Sequence, residues 1–318
     1  MAPASLAPPA PAPASAPATR PRGTRALLLV VTASLGVQLS ALLAHTLFDR
    51  LGPLGVSGLR FAIAAALACV LVRPRLRGRS PAQWAAVACF GASIASMNLF
   101  LYLALDRLPF GIALTLEFLG PFAVAVIAAR RPSGAIFPVL GLIGVVLVLR
   151  PSGALEPVGI VFGLLAAAAL AAYTLLAERV GRSEKGFDGL ALAFVVAAVL
   201  TSPFAVVALP AVTGPDAGVL IIAAVLGVVV AFAADFLAVR ATSARTVAVL
   251  LSFDPVLAAL LGAVFLGQVL DAATWSGIVI VAIAGGGSAA LAGRADVRVA
   301  RHARHAQPPV AIGRRVSS

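Results

Sequence analysis

Charge is what this chain has least of. Asp, Glu, Lys and Arg make up 11% of its 318 residues, against about a quarter in a water-soluble domain. Such a composition cannot furnish a solvated surface, and the 61% of hydrophobic residues and mean hydropathy of +1.05 point the same way. Lysine is reduced to Lys185. Cysteine occurs twice, at Cys69 and Cys89 inside apolar segments, which favours packing over a disulfide or a metal pair. Aromatics reach 6% and are mostly Phe within the apolar blocks, so no base-stacking platform is visible. There is no metal-ligand spacing, nucleophile elbow or phosphate-binding loop, and neither a metal nor a cofactor is expected.

What is present comes in apolar blocks of about twenty residues, the length that crosses a bilayer as a helix. Barrel strands would instead alternate apolar and polar over shorter stretches. The net charge of +12 raises nucleic acid as a partner. The arginines, however, lie between and beyond the apolar blocks rather than in a stripe, and the partner expected is the lipid bilayer. Residues 1–24 are nearly all Ala, Pro and Ser, ending in Arg20 and Arg22, a composition that buries nothing and is expected to be disordered. A signal peptide is the rival reading there. The apolar stretch that follows is too long for one and is succeeded by further spans, so it reads as a retained first helix.

The pattern predicts an all-α membrane protein. Its ten transmembrane helices fall at roughly 26–47, 54–72, 82–105, 109–129, 134–149, 158–177, 189–209, 217–238, 246–266 and 272–292. Alternate loops hold Arg20/Arg22/Arg25, Arg73/Arg75/Arg77/Arg79, Arg130/Arg131, Arg179/Arg182/Lys185, Arg240/Arg245 and an Arg-rich tail. The other loops hold Arg50, Arg107 and Arg150, offset by Asp49, Asp106, Glu156, Asp216 and Asp271. Cytoplasmic loops carry the Arg excess, so both termini are expected inside. The tail 293–318 is basic and expected to be disordered, with His302 and His305 solvated.

A repeat underlies the count. Ala104-Leu105 … Gly120-Pro121 matches Ala238-Val239 … Asp254-Pro255 at a constant offset, and each is followed about twenty residues on by a Gly-led apolar helix, GLIGVVLVLR and GIVIVAIAGG. The chain therefore divides into a five-helix unit over 25–150 and a second over 151–292. Five is odd, so the second copy inserts upside down. Inverted repeats are the architecture of secondary transporters, with a site near the midplane where the repeats meet; symmetry alone also suits a channel or a scaffold.

Ionisable groups inside the spans cost roughly 2.5–3.5 kcal/mol each on insertion scales, so each needs a reason. They are Arg60, Glu117, Asp235 and Asp254, with Gln38, Asn98 and Tyr102 as neutral companions. At 1.5 Å per residue, Arg60 lies about 9 Å, Asn98 about 10 Å, Glu117 about 12 Å and Gln38 about 14 Å from the outer ends of their helices. Four helices of the first unit thus contribute to one polar layer, and Asp254 lies about 12 Å from the cytoplasmic end. Asn98 and Tyr102, four apart, share a helix face. Pro121 frees the carbonyl of Glu117, and Pro255 that of Leu251; a freed carbonyl at this depth needs a cavity, water or a neighbouring helix. Plainer readings stand beside this one. Arg60 and Asp235 can snorkel to an interface, Arg60 and Glu117 can form a structural ion pair, and the neutral residues suit interhelical hydrogen bonds. The glycines at Gly141, Gly144 and 285–287 read as close helix packing.

The run SMNLFLYLALDRLPFGIALTLEFLGPFAVAVIAARRP (96–132) resembles the threonine/homoserine exporter branch of the drug/metabolite transporter superfamily, with its EamA-type repeats. So do LFDRLGPLGVSGLRFA (47–62) and SFDPVLAALLGAVFLG (252–267), and the resemblance covers residues 26–292. It implies ten helices, cytoplasmic termini in the inner membrane, and efflux of small amino acids driven by protons. Gln38, Arg60, Asn98, Tyr102, Glu117, Pro121, Asp235 and Pro255 fall on polar or proline positions of its pattern, and an acid is expected at Asp254. Gln268 departs from the Gly-Glu that usually ends this helix, leaving any role of that acid open. On this reading Arg60 contacts a substrate carboxylate, while Glu117 or Asp254 meets the ammonium or carries the proton. The rivals are an exporter of larger amphipathic compounds and a non-transporting scaffold or enzyme; the sequence leaves the oligomeric state open.

Overall fold

The computed structural model describes residues 22–128, 136–148, 155–183, 187–231 and 252–287, together with 234, 237 and 238. Asp235, the Arg240/Arg245 loop, residues 246–251, most of the N-terminal segment and the basic tail lie outside the described residues. The described residues are helical, with no strand among them. They form α1 (Arg22–His45), the single turn α2 (Phe48–Leu51), α3 (Pro53–Val72), α4 (Pro81–Leu105), α5 (Phe110–Ala128) and α6 (Ile136–Val148). The second half supplies α7 (Pro157–Ser183), α8 (Asp188–Ala208), α9 (Gly214–Ala224), α10 (Asp254–Phe265) and α11 (Ala272–Gly287). A helix thus stands at each of the ten expected places. Five of them, within α1, α3, α4, α7 and α8, are by themselves long and apolar enough to cross a membrane.

Local chemistry sets the ends. Ser80 caps α4 in a reciprocal capping box with Gln83, ahead of Pro81, which satisfies two otherwise orphaned N–H groups. Between α2 and α3 the chain turns at Gly52, whose φ of +68° is open to glycine at no cost, and Pro53 starts the next helix. α1 begins at Arg22, inside the segment read as unstructured. α9 does not run on as an α-helix: it widens into a π-helical stretch, Val225–Val230. Within the ninth predicted span the described helix is α10, which starts at Asp254 after a turn at residues 252–253.

The two halves interlock rather than sit side by side. α3 packs on α8; α4 packs on α7 and α8; α5 packs on α7 and α10; α1 and α3 pack on α9 and its π-helical continuation. Small residues make the crossings, as expected where lipid offers no hydrophobic force between helices. A Cβ on Gly58 would fall 2.7 Å from the Thr201 carbonyl oxygen, and one on Gly120 would fall 2.0 Å from that of Ala167. Gly144 and Gly277 face each other, each too close to the other's carbonyl oxygen for a side chain. Gly141 lies on Phe122 and Gly285 on Phe118, so these glycines serve packing, as the sequence indicates. Val70, Val207 and Val264 point outward, more than two-thirds exposed, which is where lipid lies.

One end of the bundle, the upper end, holds the connections at 46–52, 106–109, 212–213 and 266–271. Polar contacts tie the halves there. Arg50 Nη1 lies 2.8 Å from Asp216 Oδ1, and Arg107 Nε lies 3.4 Å from Glu156 Oε1. The Thr213 hydroxyl and backbone N–H both donate to Asp216 Oδ2, at 2.6 and 2.8 Å. These Thr213 bonds, with Arg50 beside them, hold the Asp216 carboxyl below the usual carboxylate range.

Candidate functional site

Arg60, Asn98, Glu117 and Gln38 each stand seven residues from the upper end of their helices: Arg60 from Pro53, Asn98 from Leu105, Glu117 from Phe110 and Gln38 from His45. The rise per residue puts all four at about 10 Å depth. All four are buried, at 6, 9, 7 and 1% exposure respectively.

Helical side chains lean toward the N-terminus of their helix. In the antiparallel pair α3 and α4, that sends the Arg60 guanidinium upward and the Tyr102 phenol downward, and they meet. Arg60 Nη1 donates to the Tyr102 hydroxyl and, at 2.9 Å, to Ser40 Oγ; Nη2 donates to Asn98 Oδ1 at 2.7 Å. The guanidinium carbon lies 5.0 Å from the Tyr102 ring centroid, within cation–π range. Ser40 passes the chain on, donating to the Ala223 carbonyl at 2.6 Å. That carbonyl lies where α9 widens into its π-helical stretch, a geometry that disturbs the backbone ladder and recurs at functional sites. Gly227 leaves the room: a Cβ there would lie 2.3 Å from Ser40 Oγ.

The surroundings of Arg60 are therefore neutral. Among the described residues no carboxylate lies within ion-pairing distance of it, and the structural Arg60–Glu117 pair is not formed. A guanidinium has five N–H donors. Three are used, leaving one on Nη2 and the Nε–H, which is buried without a partner. Snorkelling does not occur either, since the group ends buried rather than at an interface.

Glu117 faces a different neighbour. It lies on α5, which packs against α10, the helix that Asp254 begins. Gln38 bridges the halves from α1, its Nε2 donating to the Asp254 carbonyl at 3.3 Å while its Oε1 is buried without a partner. The site thus has a cationic side at Arg60 and an acidic side at Glu117 and Asp254, with Tyr102 between. Pro121 lies inside α5, one turn beyond Glu117, so the Glu117 carbonyl loses its helical donor. Pro255 acts otherwise than expected. It stands in the first turn of α10, where an N–H would be unused anyway, and it starts a helix instead of interrupting one. Asp254 is consequently a first-turn acid, favoured by the helix dipole.

Residues 157–285 match the EamA-like transporter family. The threonine/homoserine exporter RhtA of Salmonella typhimurium strain LT2 is 31% identical over 267 residues, which cover 81% of this chain and 87% of the exporter. The protein of the same name from Escherichia coli K12 is 31% identical over 251 residues, covering 77% and 83%. The chain belongs to the EamA-like transporter family. A solved crystal structure 21% identical superposes with a TM-score of 0.59 over 87% of this chain and 99% of its own, which shows the same fold. This EamA-like protein is accordingly a multi-pass membrane transporter and not an enzyme.

Two polar residues of this EamA-like protein, Ser40 and Ser57, carry no signal in the sequence, and a third, Gln268, is marked there only by its departure from a pattern. Ser40 and Ser57 resemble any small helical residue until their hydroxyl directions are known. Gln268 proves to be a cap: its Oε1 accepts the Phe110 N–H at the start of α5, at 2.8 Å. Gly262 makes way for it, since a Cβ there would lie 2.6 Å from that oxygen. The capping oxygen requires no charge, so Gln serves at this helix end as well as the acid that the resemblance leads one to expect.

Proposed function

We propose that the protein is a proton-coupled exporter of small amino acids, with ten crossings arranged as two inverted five-helix units and both termini in the cytoplasm. The observation that carries this reading is the buried Arg60, held by three neutral partners with two N–H groups left over, beside the separate acid pair Glu117/Asp254. A zwitterion fits that division. Its carboxylate takes the remaining Arg60 donors in a charge-assisted contact, and its ammonium meets the acid side. The reciprocal pairing of the halves supports the inverted repeat, since α4 lies on α7 as α1 lies on α9, and α3 lies on α8. The threonine/homoserine exporters named above support the substrate class.

Coupling follows from competition. An acid that holds the ammonium cannot also hold a proton, so a proton arriving from outside displaces the substrate outward and is released inside when the next substrate binds. The site must open to one side at a time for this to pump. The upper contacts of Arg50 with Asp216 and Arg107 with Glu156 are placed to close the outer side.

Purified protein in proteoliposomes tests the reading. Uptake of labelled L-threonine into inverted-orientation vesicles should follow an imposed pH gradient and collapse with a protonophore. Unlabelled threonine and homoserine should compete, whereas N-acetylthreonine and threoninamide should not. Equal competition by the two blocked derivatives, or stronger competition by apolar amines, would replace the amino-acid reading with export of amphipathic compounds.

A further inference from the structure

Hydroxyls within apolar helices ordinarily settle on a carbonyl of their own preceding turn. This protein follows that habit closely. Thr32 donates to Leu28, Ser93 to Phe90, Thr115 to Gly111, Thr174 to Leu170, Thr201 to Ala197 and Ser202 to Val199, all at 2.6 to 2.8 Å. Ser57 breaks it. Its side chain is wholly buried, and its Oγ has no hydrogen-bond partner at all. A buried polar group left unpaired is costly, more so where no water competes.

Its position gives the orphan a meaning. Ser57 and Arg60 are three apart on α3 and so lie on one face, while Gly55 and Gly58 turn the opposite face to α8. Because the Arg60 side chain leans back over the preceding turn, its guanidinium travels over the turn that carries Ser57. The unpartnered Arg60 Nε belongs to that same side chain. Two buried groups with protons to give, Ser57 Oγ and Arg60 Nε, thus belong to one face and adjoining turns of α3. The third unpartnered buried atom, Gln38 Oε1, is an acceptor, and its own amide is bonded to the Asp254 carbonyl. The unsatisfied groups sort by sign, donors with Arg60 and an acceptor on the side of Asp254, as the two ends of a zwitterion require.

We infer that Ser57 is a substrate contact whose hydroxyl donates to the same carboxylate that Arg60 binds. The inference rests on the amino-acid reading above and adds to it a residue and a geometry: the carboxylate is gripped side-on, from Nε and from the turn above.

The test is Ser57→Ala, with the KM for L-threonine exchange and the thermal unfolding of detergent-solubilised protein both measured. A hydrogen bond to a charged group is worth roughly ten- to a hundredfold in affinity, and the KM should rise by that factor. Ser57→Cys, a weak donor of similar size, should fall between the two. Unfolding temperature should stay level or rise, because Ala removes an unsatisfied group; a hydroxyl kept for packing would lower it. An unchanged KM in Ser57→Ala overturns the inference, as does a KM rise that tracks a fall in unfolding temperature. Arg60→Gln measured alongside separates the failures. If it loses affinity while Ser57→Ala does not, the amino-acid reading stands without Ser57; if neither loses affinity, both fall.

Discussion

Replacing Arg60 by Gln removes a buried charge and exchanges five N–H donors for the two of an amide on a shorter stem, and the structure sets how far binding and folding should part. Three donors are spent on Ser40, Tyr102 and Asn98. Losing those bonds costs the fold about 1.5–3 kcal/mol each, yet releasing the cation from its desolvated position returns several kcal/mol. Folding should therefore change little, with an unfolding temperature within a few degrees of the parent. Binding has no such offset. The two remaining donors contribute at least about 3 kcal/mol to a carboxylate, so the KM should rise about a hundredfold or more. Arg60→Lys retains the charge but brings three donors on a flexible stem; it should recover only part of the loss. The assay is exchange of labelled threonine in proteoliposomes, with yield and thermal unfolding measured on the same preparations. If Arg60→Gln exchanges threonine with an unaltered KM, the guanidinium is structural and the carboxylate assignment is refuted. If the variant does not fold, the neutral cage was the purpose of Arg60, with the same consequence.

Glu117→Gln retains volume but holds no exchangeable proton, so uphill efflux should vanish while substrate exchange persists, with Asp254→Asn as the companion variant; unchanged pumping with an unchanged pH profile rules out Glu117 as the coupling acid. Gly120→Ala places a methyl against the Ala167 backbone, 2.0 Å from its oxygen, and should destabilise by about 1–3 kcal/mol or more; Gly218→Ala, with open space around it, should be neutral by the same melting curve. Asp216 is held below its ordinary value of 3.8, so its bonds stabilise the fold above that range and are lost as pH falls through the lowered one. Asp216→Asn should then melt earlier than the parent at neutral pH and together with it in strong acid. Reporter fusions after Arg79 and Gly293 should read cytoplasm and those at Asp106 and Asp216 the outside, the reverse pattern being fatal to the orientation.

The helices and their polar layer were legible because both follow from one-dimensional rules. Twenty apolar residues define a span, and counting from a loop gives depth, which is why Gln38, Arg60, Asn98 and Glu117 could be placed together before any coordinates. What could not be read is direction around and between helices. The charges near one another in depth suggested that Arg60 and Glu117 pair. Instead Arg60 turns to neutral groups on α1 and α4, and Glu117 stands on a helix that packs against α10, which Asp254 begins. Ser57 hides among residues whose hydroxyls bond their own helix, and only its missing partner distinguishes it. Pro255 looked like a second Pro121 by repeat position, but it stands in the first turn of α10, where a missing N–H interrupts no helical ladder. No pattern in VLGVVV announces its π-helical winding, which becomes visible only where the stretch lies against Ser40 and Gly36.

The mutual contact of Gly144 and Gly277 bears on movement. In the proposed inverted repeat these two glycines take corresponding places in the two units to within a residue, and each stands against the other's carbonyl oxygen. A point where equivalent residues touch lies close to the axis that exchanges the units. When one unit rocks against the other, displacement grows with distance from that axis and is smallest at the contact itself. With no side chain between the backbones, α6 and α11 can swivel there without a rotamer having to give way. On the inverted-repeat reading proposed above, the pair would be a fulcrum, and the Arg50–Asp216 and Arg107–Glu156 ties at the upper end the far ends of its levers.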